Sequence, residues 1–199
     1  MLNVLILYYS RTGSTAAMAD AVALGVERVA GVAAVLRTVP PVSALSEATA
    51  AAVPDQGAPY VTLADLQSCA GLVVGSPTRF GNMAAPLKHF IDSTGGLWQG
   101  GDLIDKPFGC FTSTGSMHGG QESTLLSMML PFVHHGMVYV GVPYSEADLL
   151  STTTGGTPYG ASHVSGQGRD HHLSAEERRI AQALGQRIAT FAQRRAEAR

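Results

Sequence analysis

Short apolar runs alternate with helix-like segments along this chain, and the alternation limits the folds available to it. A run such as Leu2–Leu7, apolar at nearly every position, is typical of a strand that is buried on both faces. Between the runs, apolar residues recur at helical spacing, as Met18, Val22 and Val26 do. We therefore predict an α/β fold, with a parallel sheet and helices on both of its faces. The predicted strands are Leu2–Leu7, Ala33–Val39, Gly71–Ser76, Pro107–Thr112 and Met137–Val142.

Capping signals place several of the helices. Thr62 followed by Asp65 predicts a short helix start, and Ser174 with Glu177 forms a capping box that opens a final helix reaching toward Arg195. The other predicted helices are Ala16–Val29, Ala85–Asp92 and Glu122–His135, the last interrupted at Pro131.

Two long segments, 40–60 and 143–172, are rich in small, polar and turn-forming residues. We predict that they are insertions on the α/β frame, within a single domain spanning residues 1–199. Loops of this length usually serve function or form interfaces.

Composition excludes several classes of protein. The 199 residues are 45% hydrophobic and 14% charged, which is typical of a folded globular chain. The net charge of −2, without a dense run of Lys or Arg, argues against direct nucleic-acid binding. We also expect no membrane span and no signal peptide, because no long apolar run or basic leader is present. Two cysteines without a CxxC spacing predict neither a disulfide framework nor a thiolate metal site, so a reducing cytoplasm is the expected location.

The segment "YYSRTGST" follows the first predicted strand and precedes the first predicted helix. A helix N-terminus offers free N–H groups and a partial positive charge, which favour a phosphate, and a glycine lets the backbone approach it closely. The alternative interpretation is a turn with an ordinary N-cap, since Ser and Thr often play that part. The candidate phosphate-binding residues are Ser10, Arg11, Thr12, Gly13, Ser14 and Thr15.

Residues that are missing from this loop exclude two classes of phosphate ligand. A nucleoside-triphosphate loop needs a lysine in GxxxxGK[ST], and a dinucleotide loop needs GxGxxG, but "SRTGST" is neither. A phosphate bound by hydroxyls and amides without lysine indicates a monophosphate such as FMN.

Two further loops follow the third and fourth predicted strands. In an open parallel sheet, ligands bind beyond the carboxyl ends of the strands, so all three loops are expected at one cleft. Backbone amides there can serve the N1/O2 side of a flavin ring and the neighbourhood of O4 and N5; the alternative is plain strand-to-helix loops. The candidate flavin-binding residues are Pro77, Thr78, Arg79, Phe80 and Gly81 in the first of these loops, and Ser113, Thr114, Gly115, Ser116, Met117, His118 and Gly119 in the second.

Nearly end to end, the sequence resembles the WrbA family of flavodoxin-like NAD(P)H:quinone oxidoreductases. The resemblance rests on "LYYSRTGST", "GSPTRFGNM", "GGLWQGG", "STGSMHGGQE", "HHGMVYVG" and "GGTPYGAS". It implies a flavodoxin-like, doubly wound five-stranded parallel sheet in the order 2-1-3-4-5. It also implies non-covalent FMN, NADH or NADPH as electron donor, two-electron reduction of quinones and a homotetramer. One site shared by both substrates would give ping-pong kinetics.

The resemblance further assigns residues outside the three loops. His134 would lie at the flavin as the catalytic proton donor, while Trp98 and Thr12 would line the substrate site. Without the resemblance, each residue also has a purely structural interpretation. His134 could be a core or helix-terminal histidine, and Trp98 could be a packing or interface anchor. His118 and Glu122 share helical spacing with no third ligand in view, so we expect no metal site.

Two departures from the family pattern affect the nucleotide contacts. Thr12 stands where relatives often carry an aromatic residue, and the "STGSMHGG" loop is one residue longer than the commonest form, with Met117 and His118 in its middle. Two rival functions stay open on the sequence: a flavodoxin-type electron-transfer protein, which is usually more acidic, and a regulatory partner of a transcription repressor.

Overall fold

The computed structural model describes residues 1–42, 57–166 and 172–198. The strands are β1 Leu2–Tyr8, β2 Val32–Thr38, β3 Gly71–Pro77, β4 Pro107–Thr114, β5 Val138–Tyr139 and β6 Ala161–Val164. They form a central parallel sheet in the order β2-β1-β3-β4-β5, and β6 pairs with β4. The predicted order 2-1-3-4-5 is confirmed, and the sixth strand is additional.

Helices cover both faces of the sheet. They are α1 Ser14–Val26, α2 Leu63–Ser68, α3 Ala85–Asp92, α4 Gly95–Gly100, α5 Gln121–His134, α6 Asp148–Ser151 and α7 Ala175–Glu197. Alternate side chains of β1 belong to two different cores: Val4 and Ile6 pack in the cluster of α1 and α7, whereas Leu5 and Leu7 pack in the cluster of α3 and α5. All four side chains are essentially inaccessible, as predicted for a strand buried on both faces.

Both predicted capping boxes are present. Thr62 and Asp65 exchange hydrogen bonds at the start of α2, and Ser174 and Glu177 do so at the start of α7. Farther along, α7 packs tightly on α1 because each helix has a glycine at the crossing. A Cβ on Gly25 would lie 1.9 Å from a carbonyl oxygen of α7.

Most predicted elements match the structure to within about three residues, as Ala16–Val29 does α1, but three differences are larger. The strand predicted at Met137–Val142 is reduced to Val138–Tyr139, because β6 occupies the carboxyl half of β4 where β5 would have continued. The predicted interruption of the helix at Pro131 is wrong: α5 continues through it, held by the buried Met128 and Phe132 on its inner face. The segment containing Trp98 forms the short helix α4.

The two predicted insertions lie only partly within the described residues. Residues 43–56 of the first and 167–171 of the second lie outside the described residues. The described part of the second supplies α6 and β6. Within the described ranges, every helix is too short or too polar to cross a membrane.

Candidate active site

The loop before α1 leaves the N-terminus of that helix open. Its N-cap is Gly13, which lies in the left-handed region at φ 99° and has no side chain with which to cap the helix. The hydroxyl oxygen of Ser10 instead accepts hydrogen bonds from the amides of Gly13 (3.2 Å) and Ala16 (3.3 Å) and so shapes the turn. In the described part of the chain, the Thr15 amide donates to no group. The structure therefore combines the two interpretations of this loop: Ser10 holds the turn, while the Thr15 amide at the helix N-terminus is left for an anion.

All three predicted loops meet at the carboxyl edge of the sheet. They enclose a cavity of about 170 Å³, directly beyond β1, β3 and β4. Its lining is rich in hydroxyls and carries two cations, Arg11 and Arg79, which suits a phosphate ester and the polar chain attached to it. The lining residues are Arg11, Thr12, Ser14, Thr15, Pro77, Thr78, Arg79, Ser113, Thr114, Gly115 and Ser165.

Ser165 is a lining residue that the sequence interpretation missed. It follows β6, and its amide and hydroxyl both donate to the carbonyl of Thr114, at 2.9 and 3.1 Å. Because β6 was not predicted, no pattern in the sequence placed this serine at the cleft.

The loop after β3 is a tight turn that presents Phe80 to solvent. The backbones of Arg79 and Asn82 exchange two hydrogen bonds, of 2.8 and 3.1 Å. Between them, Phe80 has a φ of 54° and is fully exposed, and Gly81 has a φ of 75°. A non-glycine residue in this region is strained, and such strain concentrates at functional sites.

The loops after β3 and β4 are fastened to each other. The Thr124 hydroxyl donates to the Thr78 hydroxyl at 2.9 Å, and a Cβ on Gly120 would approach the Gly81 Cα to 2.9 Å. The two loops therefore form one wall of the cleft. Of the second loop, Ser113, Thr114 and Gly115 line the cavity, whereas Ser116, Met117 and His118 are exposed and Gly119 is half-buried.

His134 and Trp98 lie at the other edge of the sheet. Helix α5 starts beyond the carboxyl end of β4 and runs for 14 residues, about 21 Å, so His134 is close to the start of β5 and the amino end of β4. The rings of Trp98 and His134 stack, with centroids 5.7 Å apart and planes inclined by 26°. Within one chain, the structure therefore does not bring this pair to the cleft where the other predicted residues meet.

A buried hydrogen bond fixes α4 against the end of α5. The Thr94 hydroxyl donates to the carbonyl of Ile91 at 2.7 Å and lies 2.9 Å from the Nε2 of His135, which must therefore carry the hydrogen. Burial, together with the neighbouring His134, lowers the pKa of His135. The hydrogen bond between Thr94 and His135 thus joins the start of α4, which carries Trp98, to the end of α5, which carries His134.

The carboxyl-edge site fits FMN. An open helix N-terminus, hydroxyl side chains and two arginines surround a cavity that has no lysine in its lining, which suits a phosphate monoester. Arg11 and Arg79 also line an adjoining groove together with Lys88, so the approach to the site is cationic. Among the described residues, no group of three or more His, Cys, Asp and Glu is placed to hold a metal ion.

Comparison with known proteins gives a consistent result. Residues 2–148 match the family of NADPH-dependent FMN reductases. A protein named NAD(P)H dehydrogenase (quinone), from Solidesulfovibrio magneticus, is 45% identical over 97% of this chain and 98% of its own length.

Solved structures show the same fold. A WrbA-like flavodoxin from Agrobacterium tumefaciens superposes with a TM-score of 0.71 at 24% identity, covering 98% of this chain and 99% of that one. An archaeal flavodoxin gives a TM-score of 0.64 at 19% identity, covering 96% and 99%. The chain therefore belongs to the NADPH-dependent FMN reductase family and has a flavodoxin-like fold.

Proposed function

We propose that this protein is an FMN-dependent NAD(P)H:quinone oxidoreductase that reduces quinones by two electrons in a ping-pong mechanism. The observation that carries the proposal is the cavity at the N-terminus of α1, where loops after β1, β3 and β4 converge. The name of the relative at 45% identity supports a quinone as the acceptor.

The residues around the cavity divide the work of binding. The Thr15 amide and the hydroxyls of Thr12 and Ser14 would hold the phosphate, with Arg11 supplying positive charge. Residues 77–81 and 113–119 would hold the flavin ring. When bound, FMN supplies the two-electron chemistry that links NAD(P)H to the quinone, while the protein orients the reactants and excludes water.

The pair of Trp98 and His134 would act on a neighbouring subunit. An apolar stripe runs along the solvent face of α5, where Leu126, Leu130 and Val133 are 37%, 64% and 47% exposed. Two copies of α5 packed antiparallel about a two-fold axis would bury both stripes. The same packing would carry the His134 end of one helix toward the Gln121 end of the other, where the cleft lies.

In this arrangement, the rings of Trp98 and His134 would lie at the cleft of the neighbouring subunit, where they can contact a quinone. Trp98 offers a flat apolar surface against which a quinone can stack, and the His134 imidazole has ring nitrogens that can hydrogen-bond to a quinone oxygen. We propose that the working assembly is a homotetramer with clefts completed in this way. Cys69 and Cys110 are both free and buried, which accords with a reducing cytoplasm.

Steady-state kinetics tests the proposed reaction. With FMN saturating, oxidation of NADH or NADPH by benzoquinone should give parallel lines in double-reciprocal plots. Intersecting lines would exclude the ping-pong scheme. FMN binding without turnover would favour the rival function, an electron-transfer protein that docks on redox partners.

A further inference from the structure

Gln121, the first residue of α5, is almost completely buried and uses both ends of its side-chain amide. Its Nε2 donates to the carbonyl of Met117 at 2.7 Å, and its Oε1 accepts from the hydroxyl of Ser162. The Ser162 oxygen in turn accepts from the Gly156 amide at 2.7 Å, so its single hydrogen is left for Gln121. This chain of donors fixes the orientation of the Gln121 amide.

The contact between Gln121 and Met117 determines where a backbone amide of the loop points. The Met117 carbonyl and the His118 N–H belong to one planar trans peptide, in which they face opposite ways. Because Gln121 holds the carbonyl on the protein side, the His118 N–H is turned away from Gln121. Among the described residues, that amide has no acceptor.

The preceding peptide is held in the same manner. The Ser116 carbonyl accepts from the Thr114 hydroxyl at 2.8 Å and from the Gly119 amide at 3.1 Å. The Met117 N–H, in the same peptide plane, is therefore also turned outward and has no acceptor in the described part of the chain. Two consecutive amides of the loop after β4 are thus left as donors for a ligand.

We propose that Gln121 is a positioning residue for FMN, which helps to aim the amides of Met117 and His118 at the cofactor and is itself held in place by Ser162. The inference rests on the FMN site of the proposed function. The proposal also gives the second inserted segment a role. Ser162, a buried residue of that segment in β6, orients Gln121, and Gln121 in turn orients the loop after β4. The expected consequence is that FMN binding depends on two buried residues that do not line the cavity.

FMN titration of the apoprotein tests the role of Gln121 without measuring turnover. Gln121→Met keeps the volume of the side chain, and Gln121→Glu keeps its shape but removes the N–H donor at neutral pH. Each variant should raise the Kd for FMN about tenfold, the order of effect of one buried hydrogen bond. The visible spectrum of any FMN that remains bound should also shift, which a loss of stability alone would not cause.

Gln182→Met is the matched control. Gln182 is also a nearly buried glutamine with a side-chain partner, Arg28, but it lies on α7, away from the loop. It should lose thermal stability to a similar degree while binding FMN as the wild type does. Wild-type affinity and spectrum in both Gln121 variants would overturn the proposal. If the wild-type protein bound no FMN, the proposed function itself would fail, which is a separate result.

A double-mutant cycle tests whether Ser162 acts on FMN binding through Gln121. Ser162→Ala should weaken FMN binding in the wild-type background but add little to Gln121→Met, because Ser162 acts through Gln121. Equal losses in both backgrounds would show that Ser162 acts independently, and would overturn the link to the inserted segment.

Discussion

The indole of Trp98 stacks on the imidazole of His134 at the amino edge of the sheet, while the FMN loops lie at the carboxyl edge. The two groups are separated by roughly the length of α5, about 21 Å. A flavoprotein that uses both therefore has to combine them from different subunits. This separation leads to the first two predictions.

Trp98→Ala should lower kcat/KM for the quinone at least about fivefold, the order of effect of one lost aromatic contact. FMN affinity should stay at the wild-type value, because Trp98 is remote from the FMN loops of its own chain. Phe191→Ala is the control, since Phe191 is a part-exposed aromatic on α7, across the sheet. Unchanged quinone kinetics in Trp98→Ala would leave Trp98 as a packing or interface residue.

Complementation between two defective subunits should restore activity. Trp98→Ala subunits keep their proposed FMN loops intact. Gly13→Val subunits have a defective phosphate loop but keep the stacked pair of Trp98 and His134. Refolded together, they form some clefts with both parts intact, so the activity of the mixture should exceed the mean of the two variants refolded separately. Activity equal to that mean would indicate that each cleft is completed within one chain.

Leu130→Glu should break the assembly into smaller units. The substitution places a charge in the middle of the apolar stripe of α5, where Leu130 is 64% exposed in the single chain. Light scattering of the FMN-loaded protein should show a lower mass, with Leu24→Glu on α1 as the exposed-leucine control. A monomer mass for the wild type at every concentration would contradict the proposed tetramer.

Gly13→Ala should weaken FMN binding several-fold, because Gly13 lies at φ 99° at the helix N-terminus that we propose to hold the phosphate. Part of the change is general backbone strain, which lowers the free energy of unfolding by about 1 kcal/mol. Gly31→Ala isolates that part: Gly31 has a φ of 81° with open space around it and lies outside the cleft. Both variants should lose similar stability, but only the first should lose FMN affinity.

Glu177→Gln should destabilise the protein at neutral pH and reduce the loss of stability that the wild type shows on acidification. Burial acts to raise the pKa of Glu177, but hydrogen bonds from His163 and from the amides of Val164, Ser174 and Gly155 outweigh it and lower the pKa to about 2. A carboxylate with a lowered pKa stabilises the fold above its unfolded pKa, near 4.5, and that contribution disappears as the pH falls toward 2.

The corresponding free energy is on the order of 2–3 kcal/mol. Chemical unfolding between pH 7 and pH 3 should therefore show a steep loss of stability in the wild type and a weaker pH dependence in Glu177→Gln. Glu176→Gln, which removes only an exposed carboxylate near Arg179, should keep the wild-type profile. Parallel profiles for the wild type and Glu177→Gln would refute the assignment.

The sequence by itself determined the frame of the fold and the place of the cofactor loops. Buried runs such as Leu2–Leu7 form strands because consecutive apolar side chains need a core on both faces, and the capping box of Ser174 and Glu177 depends only on residues three positions apart. The meeting of the three loops also followed, because the carboxyl ends of parallel strands lie at one edge of a sheet.

Only the tertiary structure decided the contacts between distant segments. The competition between β5 and β6 for the edge of β4 brought Ser165 to the cleft, and Gln121 and Ser162 meet although they are 41 positions apart in the chain. The family resemblance had placed His134 at the flavin, but α5 carries it about 21 Å away from the three loops of its own chain. Local patterns fix local conformation, because capping and periodicity involve near neighbours; which distant side chains touch depends on how the strands pair and how the helices pack on them.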